Sequence, residues 1–249
     1  MITLGIDIGG SGIKGALVDT KKGEMVTDRL RIPTPKPAKP KAVIKVLKQI
    51  VDHFDYSGPI GVGIPAIVIN GITHSAANID DEWIGFASQQ AMAKATGCPV
   101  TLGNDADVAG VAEVRFGAGR NQSGTVMIFT LGTGIGSAMF VNGRLVPNTE
   151  LGHLYLRNQK HDAEDWAAER IRDEQDLSWE QWGKRLNTYF QHIEFIFSPE
   201  LIIIGGGVSK RYEKFLPYIQ TRADIVPAEL RNEAGIVGAA VLAAEAGRQ

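Results

Sequence analysis

Apolar residues at Ile2, Leu4, Ile6 and Ile8 alternate with other residues, the period of a strand. The run breaks at Gly9-Gly10-Ser11-Gly12 and resumes over Ile13 to Val18, with a turn at Asp19 to Gly23. This predicts a β-hairpin with a glycine-rich tip. Arg31 to Lys41 reads as an extended, solvated connector rich in Pro and Lys. Val43, Ile44, Leu47, Ile50, Val51 and Phe54 then keep helical spacing. A buried strand is expected at Ile60 to Ile64, a helix from Phe86 to Ala95 stopped by Gly97, and a strand at Val100 to Leu102 that leads into a helix at Asn104-Asp105-Ala106-Asp107.

Val126 to Leu131 opens a second strand–glycine–strand unit. Gly132-Thr133-Gly134-Ile135-Gly136-Ser137 stands to it as Gly9-Gly10-Ser11-Gly12 stands to the first, so the chain reads as an internal repeat and two lobes of similar plan. Ser178 and Gln181 form a capping box ahead of Trp182, Leu186, Tyr189, Phe190, Ile193 and Phe197. That aromatic stripe suits a core or a dimer contact. Leu201 to Ile204 is a buried strand entering Gly205-Gly206-Gly207, where a helix is expected to open, and Ala239 to Ala246 is an alanine-rich helix. Strands and helices alternate throughout, so the class is α/β.

The 249 residues suffice for one large domain or two modest ones. With Lys and Arg at 26 against Asp and Glu at 28, the net charge of -2 gives no electrostatic case for nucleic acid or an anionic membrane. The single cysteine, Cys98, excludes an internal disulfide and a multi-cysteine zinc cluster, and suits a reducing cytosol. The segment Met1 to Asp7 lacks the basic start of a signal peptide, and no apolar run approaches the ~20 residues of a membrane span. A cytoplasmic protein is therefore expected. The unusual count is 29 glycines, concentrated at the places that carry candidate chemistry.

At Gly9, Gly10, Ser11 and Gly12 the absence of side chains lets a phosphate reach backbone N–H groups; Ser11 adds a hydroxyl and Lys14 a charge. Asp7 could hold Mg²⁺ directly or through water. Glycines that only make a tight turn are the simpler alternative. The tip lacks the Walker ending, and a strand follows where the dinucleotide fingerprint needs a helix. Gly132, Thr133 and Gly134 repeat the phosphate argument, and two such loops, one per lobe, are expected to face each other across a cleft. Asp105, where a strand gives way to a helix, is the candidate general base for a sugar hydroxyl, and Asn104 suits a hydroxyl-rich ligand. Both residue types are also favoured helix caps. Glu150 and His153 could share one sugar; an ordinary core or surface histidine is the alternative. Gly205, Gly206, Gly207, Val208 and Ser209 could receive an anion or nucleotide at a helix start, or simply turn the chain.

Together these stretches, with Ser75-Ala76-Ala77-Asn78 and His161-Asp162-Ala163-Glu164, resemble the bacterial sugar kinases that share their fold with transcriptional repressors, the ROK family of the actin/hexokinase-like superfamily. Within it the chain is similar to the polyphosphate-using glucokinase branch. The resemblance implies a two-lobed actin-like ATPase (ribonuclease H-like) fold with mixed central sheets flanked by helices. It implies an N-terminal lobe of 1–106 plus 236–249 and a C-terminal lobe of 107–235 carrying a dimer surface. The implied activity is phosphoryl transfer from polyphosphate or ATP to the 6-hydroxyl of glucose, with Asp105 as base and Asn78, Asn104, Glu150, His153 and Glu164 on the sugar. Gly9 to Lys14 and Gly132 to Gly134 would hold phosphates, Asp7 would lie near Mg²⁺, and Gly205 to Ser209 would lie against a nucleoside. The family's usual zinc cluster after Glu-x-Gly-His is missing here, as in the polyphosphate-using branch; Ser11 replaces a threonine and Ala66 a glycine. No DNA-binding extension precedes Asp7, against the repressor branch. A strictly ATP-dependent glucokinase, another hexose or N-acetylhexosamine kinase, and a non-catalytic sugar sensor remain as alternatives. Lys14, Arg144, Lys210, Arg211 and the connector lysines are candidates for a basic track toward a polymeric donor.

Overall fold

The alternating runs become the strands they predict. The structure is a computed structural model and describes residues 1–247. In chain order the strands are β1 (Ile2–Ile8), β2 (Ile13–Asp19), β3 (Glu24–Met25), β4 (Leu30–Ile32), β5 (Ile60–Ile64), β6 (Val68–Ile69), β7 (Ile72–Thr73), β8 (Val100–Asn104), β9 (Thr125–Leu131), β10 (Ile135–Val141), β11 (Arg144–Val146), β12 (Leu201–Gly205) and β13 (Asp224–Pro227). The α-helices are α1 (Pro40–His53), α2 (Ser88–Thr96), α3 (Asp105–Phe116), α4 (Glu164–Ala167), α5 (Glu169–Glu174), α6 (Trp179–Phe197) and α7 (Ala234–Ala246).

Two compact units form. The first comprises Met1–Ala112 with the described part of Glu233–Gln249, and the second Glu113–Asn232, against sequence-based borders of 106 and 236. Arg248 and Gln249, the end of the expected 236–249 segment, lie outside the described residues.

In the first unit the sheet order is β3-β2-β1-β5-β8, with β4 also on β2. β1 is antiparallel to β2 and parallel to β5, which is parallel to β8. The second unit has the order β11-β10-β9-β12-β13, again an antiparallel hairpin followed by two parallel strands. The repeat seen in two glycine-tipped segments therefore extends over both sheets. The first core gathers Leu4, Ile6, Leu47, Ile50, Val62 and Trp83. The apolar face of α1 enters it, with Pro40 in the first turn, where its missing N–H has no helical partner to lose. α7, made of small residues, packs directly on β1 and β5.

In the second unit the Ser178 hydroxyl accepts the Gln181 N–H and the Gln181 side chain accepts the Ser178 N–H, so the capping box forms. Trp182, Leu186, Tyr189, Phe190 and Ile193 are fully buried in that unit's core, with Phe129 edge-on to Tyr189 and Phe190. The aromatic stripe is thus core; what α6 exposes is Phe195 and Ile196.

Three local expectations change. The connector is not simply solvated: Leu30–Ile32 pairs with β2, and Thr34 is buried and donates to the Gly9 carbonyl. α2 starts at Ser88 because the Phe86 carbonyl accepts the Thr73 N–H, which holds Phe86 in a turn. After Gly206 the chain forms 3₁₀ turns, Gly207–Lys214, with Arg211 non-helical, rather than an α-helix. The backbone of Arg211, at φ -122° and ψ 25°, interrupts the helical geometry between the buried anchors Val208 and Phe215.

Candidate active site

Because β1, β5 and β8 run parallel, they end on the same side of the first sheet, where ligands collect in open α/β sheets. Asp7 is in register with Gly63, and Gly63 with Gly103. Two strand spacings put Asp7 and Gly103 ~10 Å apart, with Asp105 two residues further on. The tip Gly9 to Gly12 and the start of α3 therefore share one edge. At the tip the Gly9 N–H donates to the Gly12 carbonyl at 3.1 Å. The Lys14 ammonium pairs with Asp7 at 3.0 Å, so these two expected phosphate and metal groups already form one charged pair. Asn78, exposed and at φ 59°, lies against the tip: a Cβ on Gly10 would be 3.4 Å from its Cβ.

Asn104 is buried and caps α3, its side-chain oxygen accepting from the N–H groups of Ala106 at 2.8 Å and Asp107 at 3.1 Å. Its amide nitrogen donates to the Ala66 carbonyl at 3.4 Å, tying the β5 loop to the start of α3. Asp105 is half-buried, and one carboxylate oxygen accepts the Ala106 N–H at 2.8 Å.

In the second unit the tip Gly132, Thr133 and Gly134 closes with the Gly132 N–H on the Gly134 carbonyl at 3.0 Å. Glu164 sits on this tip: its carboxylate accepts the Ile135 N–H at 2.8 Å and occupies the space a Gly134 side chain would need. Gly206, at φ 83°, lies against the backbone of Leu131, so the Gly205 to Ser209 segment adjoins the same tip. Gly132 and Gly207 face open space. Val208 and Ser209 are buried, and the Ser209 hydroxyl donates to the Gly206 carbonyl at 2.8 Å. Of the basic-track candidates in this unit, Arg211 pairs with Glu169 at 3.0 Å and covers the Trp179 ring.

Glu150 precedes, and His153 ends, a single 3₁₀ turn, Leu151–His153. Burial raises the Glu150 carboxyl above its ordinary range; nearby His153 lowers it and Glu164 raises it further. The His153 ring nitrogen Nδ1 lies 2.8 Å from an Asp162 oxygen, and this hydrogen bond is the main cause of its raised pKa, with Glu164 and Glu150 adding to it and burial opposing. Asp162 supports His153, Arg31 and Thr34 hold the Ser11 and Gly9 carbonyls, and Arg170 holds the Thr133 carbonyl; none of the four was expected from sequence. Only Asp162 had a signal, its place beside the motif residue Glu164.

The sign of the His153 shift yields a test. A raised folded-state pKa means the imidazolium–carboxylate pair contributes stability below pH 6.5, lost as pH rises through the folded value. Asp162→Asn is expected to move the His153 titration, followed by NMR of the imidazole, downward. An unmoved midpoint would remove Asp162 as the cause.

Two glycine-tipped hairpins, each followed by parallel strands, define an actin-like ATPase fold. The ROK family description matches residues 3–165, and the chain belongs to that family. It is 45% identical over 238 residues to the polyphosphate glucokinase of Mycobacterium tuberculosis, covering 95% of this chain and 89% of that protein. The crystal structure of inorganic polyphosphate/ATP-glucomannokinase from Arthrobacter sp. strain KM is 48% identical, with a TM-score of 0.93 over 98% of this chain and 99% of that one. The ROK family glucokinase of Streptomyces griseus, solved with glucose and AMPPNP, shares the fold at 22% identity, with a TM-score of 0.83 over 98% of this chain and 100% of that one.

Proposed function

We propose that this protein transfers a phosphoryl group from inorganic polyphosphate, or from ATP, to the 6-hydroxyl of glucose, giving glucose 6-phosphate. The observation that carries the kinase reading is the shared edge of Asp7, the Gly9–Gly12 tip and Asp105 at the ends of parallel strands. The choice of glucose and of a polymeric donor is supported by the 45% and 48% identical relatives named above.

Asp105 takes the proton of the 6-hydroxyl as that oxygen attacks the terminal phosphorus. The bond from phosphorus to the bridging oxygen breaks, and the shortened polyphosphate, or ADP, leaves with the electron pair. In the first unit Asn78 and Asn104 contact the sugar. For Asn104 only the second N–H of its amide is left over from the cap, so its role is that of a donor. In the second unit Glu150, His153 and Glu164 contact hydroxyls; the Asp162 bond to Nδ1 directs Nε2 of His153 to the sugar. The tips at Gly9 to Gly12 and Gly132 to Gly134, with Lys14, hold the transferred and leaving phosphates, and Gly205 to Ser209 receives the nucleoside of ATP.

Among the described residues no group of three or more His, Cys, Asp or Glu could hold a metal ion. Asp7, paired with Lys14 through one carboxylate oxygen, would hold Mg²⁺ through its other oxygen or through water, since this ion is commonly bound by one or two carboxylates plus substrate oxygens. When bound, it offsets charge on the transferred group. A homodimer is part of this reading, supported by Phe195 at 84% and Ile196 at 47% exposure. So is a reducing cytoplasm, supported by the free, buried Cys98. Among the described residues no helix is long and apolar enough to cross a membrane.

Steady-state assays coupled to glucose 6-phosphate, with each donor at matched Mg²⁺, are expected to give turnover with both. Turnover with ATP alone would leave a strictly ATP-dependent kinase. Product from neither donor, with glucose still bound, would leave a sugar sensor.

A further inference from the structure

We propose that Arg31 and Arg170 are positioning residues for the phosphoryl donor, the side chain of each locking one carbonyl of a glycine-rich tip so that the peptide N–H groups of the tip are presented to phosphate. This rests on the donor role of the tips proposed above.

The two units make the same arrangement from unrelated sequence. In the first, the Arg31 guanidinium donates to the Ser11 carbonyl at 2.9 Å, and the Thr34 hydroxyl to the Gly9 carbonyl. In the second, Arg170 Nε donates to the Thr133 carbonyl at 3.0 Å, and the backbone N–H of Arg170, which a substitution leaves in place, donates to the Gly132 carbonyl at 3.1 Å. A peptide plane whose carbonyl is held on one side points its N–H to the other. The N–H that shares a plane with the Gly9 carbonyl is that of Gly10, with Ser11 that of Gly12, with Gly132 that of Thr133 and with Thr133 that of Gly134; among the described residues no protein group accepts from these four or from the Ser11 N–H. Such successive free donors are the parts of an anion-binding nest.

The glycines support this division. A Cβ on Gly12 would lie 2.6 Å from Arg31 Nε, and one on Gly134 would collide with the Glu164 carboxylate. These two positions are bare because a supporting charged side chain occupies the space, not because phosphate does. Arg170 also faces Asp165 at 2.9 Å and Glu174 at 3.4 Å. Its charge is largely offset, so its effect on the tip is one of geometry.

The test compares Arg31→Met, Arg31→Lys, Arg170→Met and Arg170→Lys with the wild-type protein. Calorimetric binding of inorganic tripolyphosphate, KM for each donor, kcat, calorimetric glucose affinity and melting temperature are measured. Each Met variant is expected to weaken tripolyphosphate binding and raise donor KM about tenfold, the effect of losing a charged hydrogen bond. Glucose affinity is expected to stay the same, and kcat at saturating donor to change by less than about twofold. Lysine, which keeps the charge but not the planar fork, is expected not to restore affinity. Full rescue by lysine, unchanged tripolyphosphate binding in the Met variants, or a parallel loss of glucose affinity and melting temperature would each overturn the assignment. Absence of tripolyphosphate binding by the wild type would overturn it too. Tripolyphosphate binding needs no turnover, so a wild-type protein that binds it yet makes no glucose 6-phosphate would sink the kinase reading while the arginine comparison still stands.

Discussion

Asp105→Asn is expected to lower kcat by at least ~10²-fold, the usual worth of a positioned general base, equivalent to ~2.7 kcal/mol of transition-state stabilisation. The substitution isolates the proton transfer. The amide keeps the shape of the carboxylate and can still accept the Ala106 N–H that holds one Asp105 oxygen at 2.8 Å. The cap of α3 is made by Asn104, so the helix start does not depend on the Asp105 charge. Glucose affinity and melting temperature should therefore hardly change while turnover falls. An amide cannot take the hydroxyl proton, and no other change at the site offers a substitute. Glucose binding measured by calorimetry, set beside kcat for both donors, checks this. A variant with near-normal turnover would remove Asp105 from the role of base.

How far the site could be read from the chain depends on what each residue leaves behind in the sequence. β1 and β2 were legible because burial on a sheet imposes a period of two, and Gly9 to Gly12 interrupts it visibly. Asn104 and Asp105 were legible as a helix start, and the choice between capping and ligand binding was open; the structure gives Asn104 the cap. Arg31 and Thr34 were hidden because single hydrogen bonds from a Pro-rich segment to the carbonyls of Ser11 and Gly9 create no pattern. Arg170 was hidden for the same reason: its contacts with Gly132 and Thr133 span a stretch with no common period. Glu164 was read only as a sugar ligand, through resemblance. Its carboxylate also accepts the Ile135 N–H, so it shapes the Gly132–Gly134 tip, a contact the resemblance did not indicate. Gly61 was legible only as part of a buried strand; that its space belongs to the Ala239 backbone leaves no mark in the spacing of the sequence.

Gly61→Ala is expected to be the most damaging small substitution in the first unit. Gly61 is the second residue of β5, in register with Gly5 of β1, and both face α7. A Cβ at Gly61 would come closer to the Ala239 carbonyl oxygen than the 3.0 Å real Cβ atoms keep, and one at Gly5 would do the same to Ile236. The obstacle is helix backbone, which cannot rotate away as a side chain can. α7 must lift off the sheet, yet its other side is held where Gly238 meets the Val108 carbonyl of α3. Forcing a methyl group into such packing costs about 1–3 kcal/mol, which for a chain of this size lowers the melting temperature by roughly 2–12 °C. Activity should fall with it, because a Cβ on Gly235, at the start of α7, would already be 3.0 Å from Asp7 Cγ, and a displaced α7 disturbs that residue. Gly132→Ala supplies the contrast. Its added methyl meets nothing within 4 Å, so stability should hold while donor KM rises, the methyl intruding only where phosphate is to sit. Thermal melts and donor kinetics on the two variants separate a glycine kept for packing from one kept for a ligand. A Gly61→Ala protein that melts like the wild type would show that α7 does not press on β5 as described.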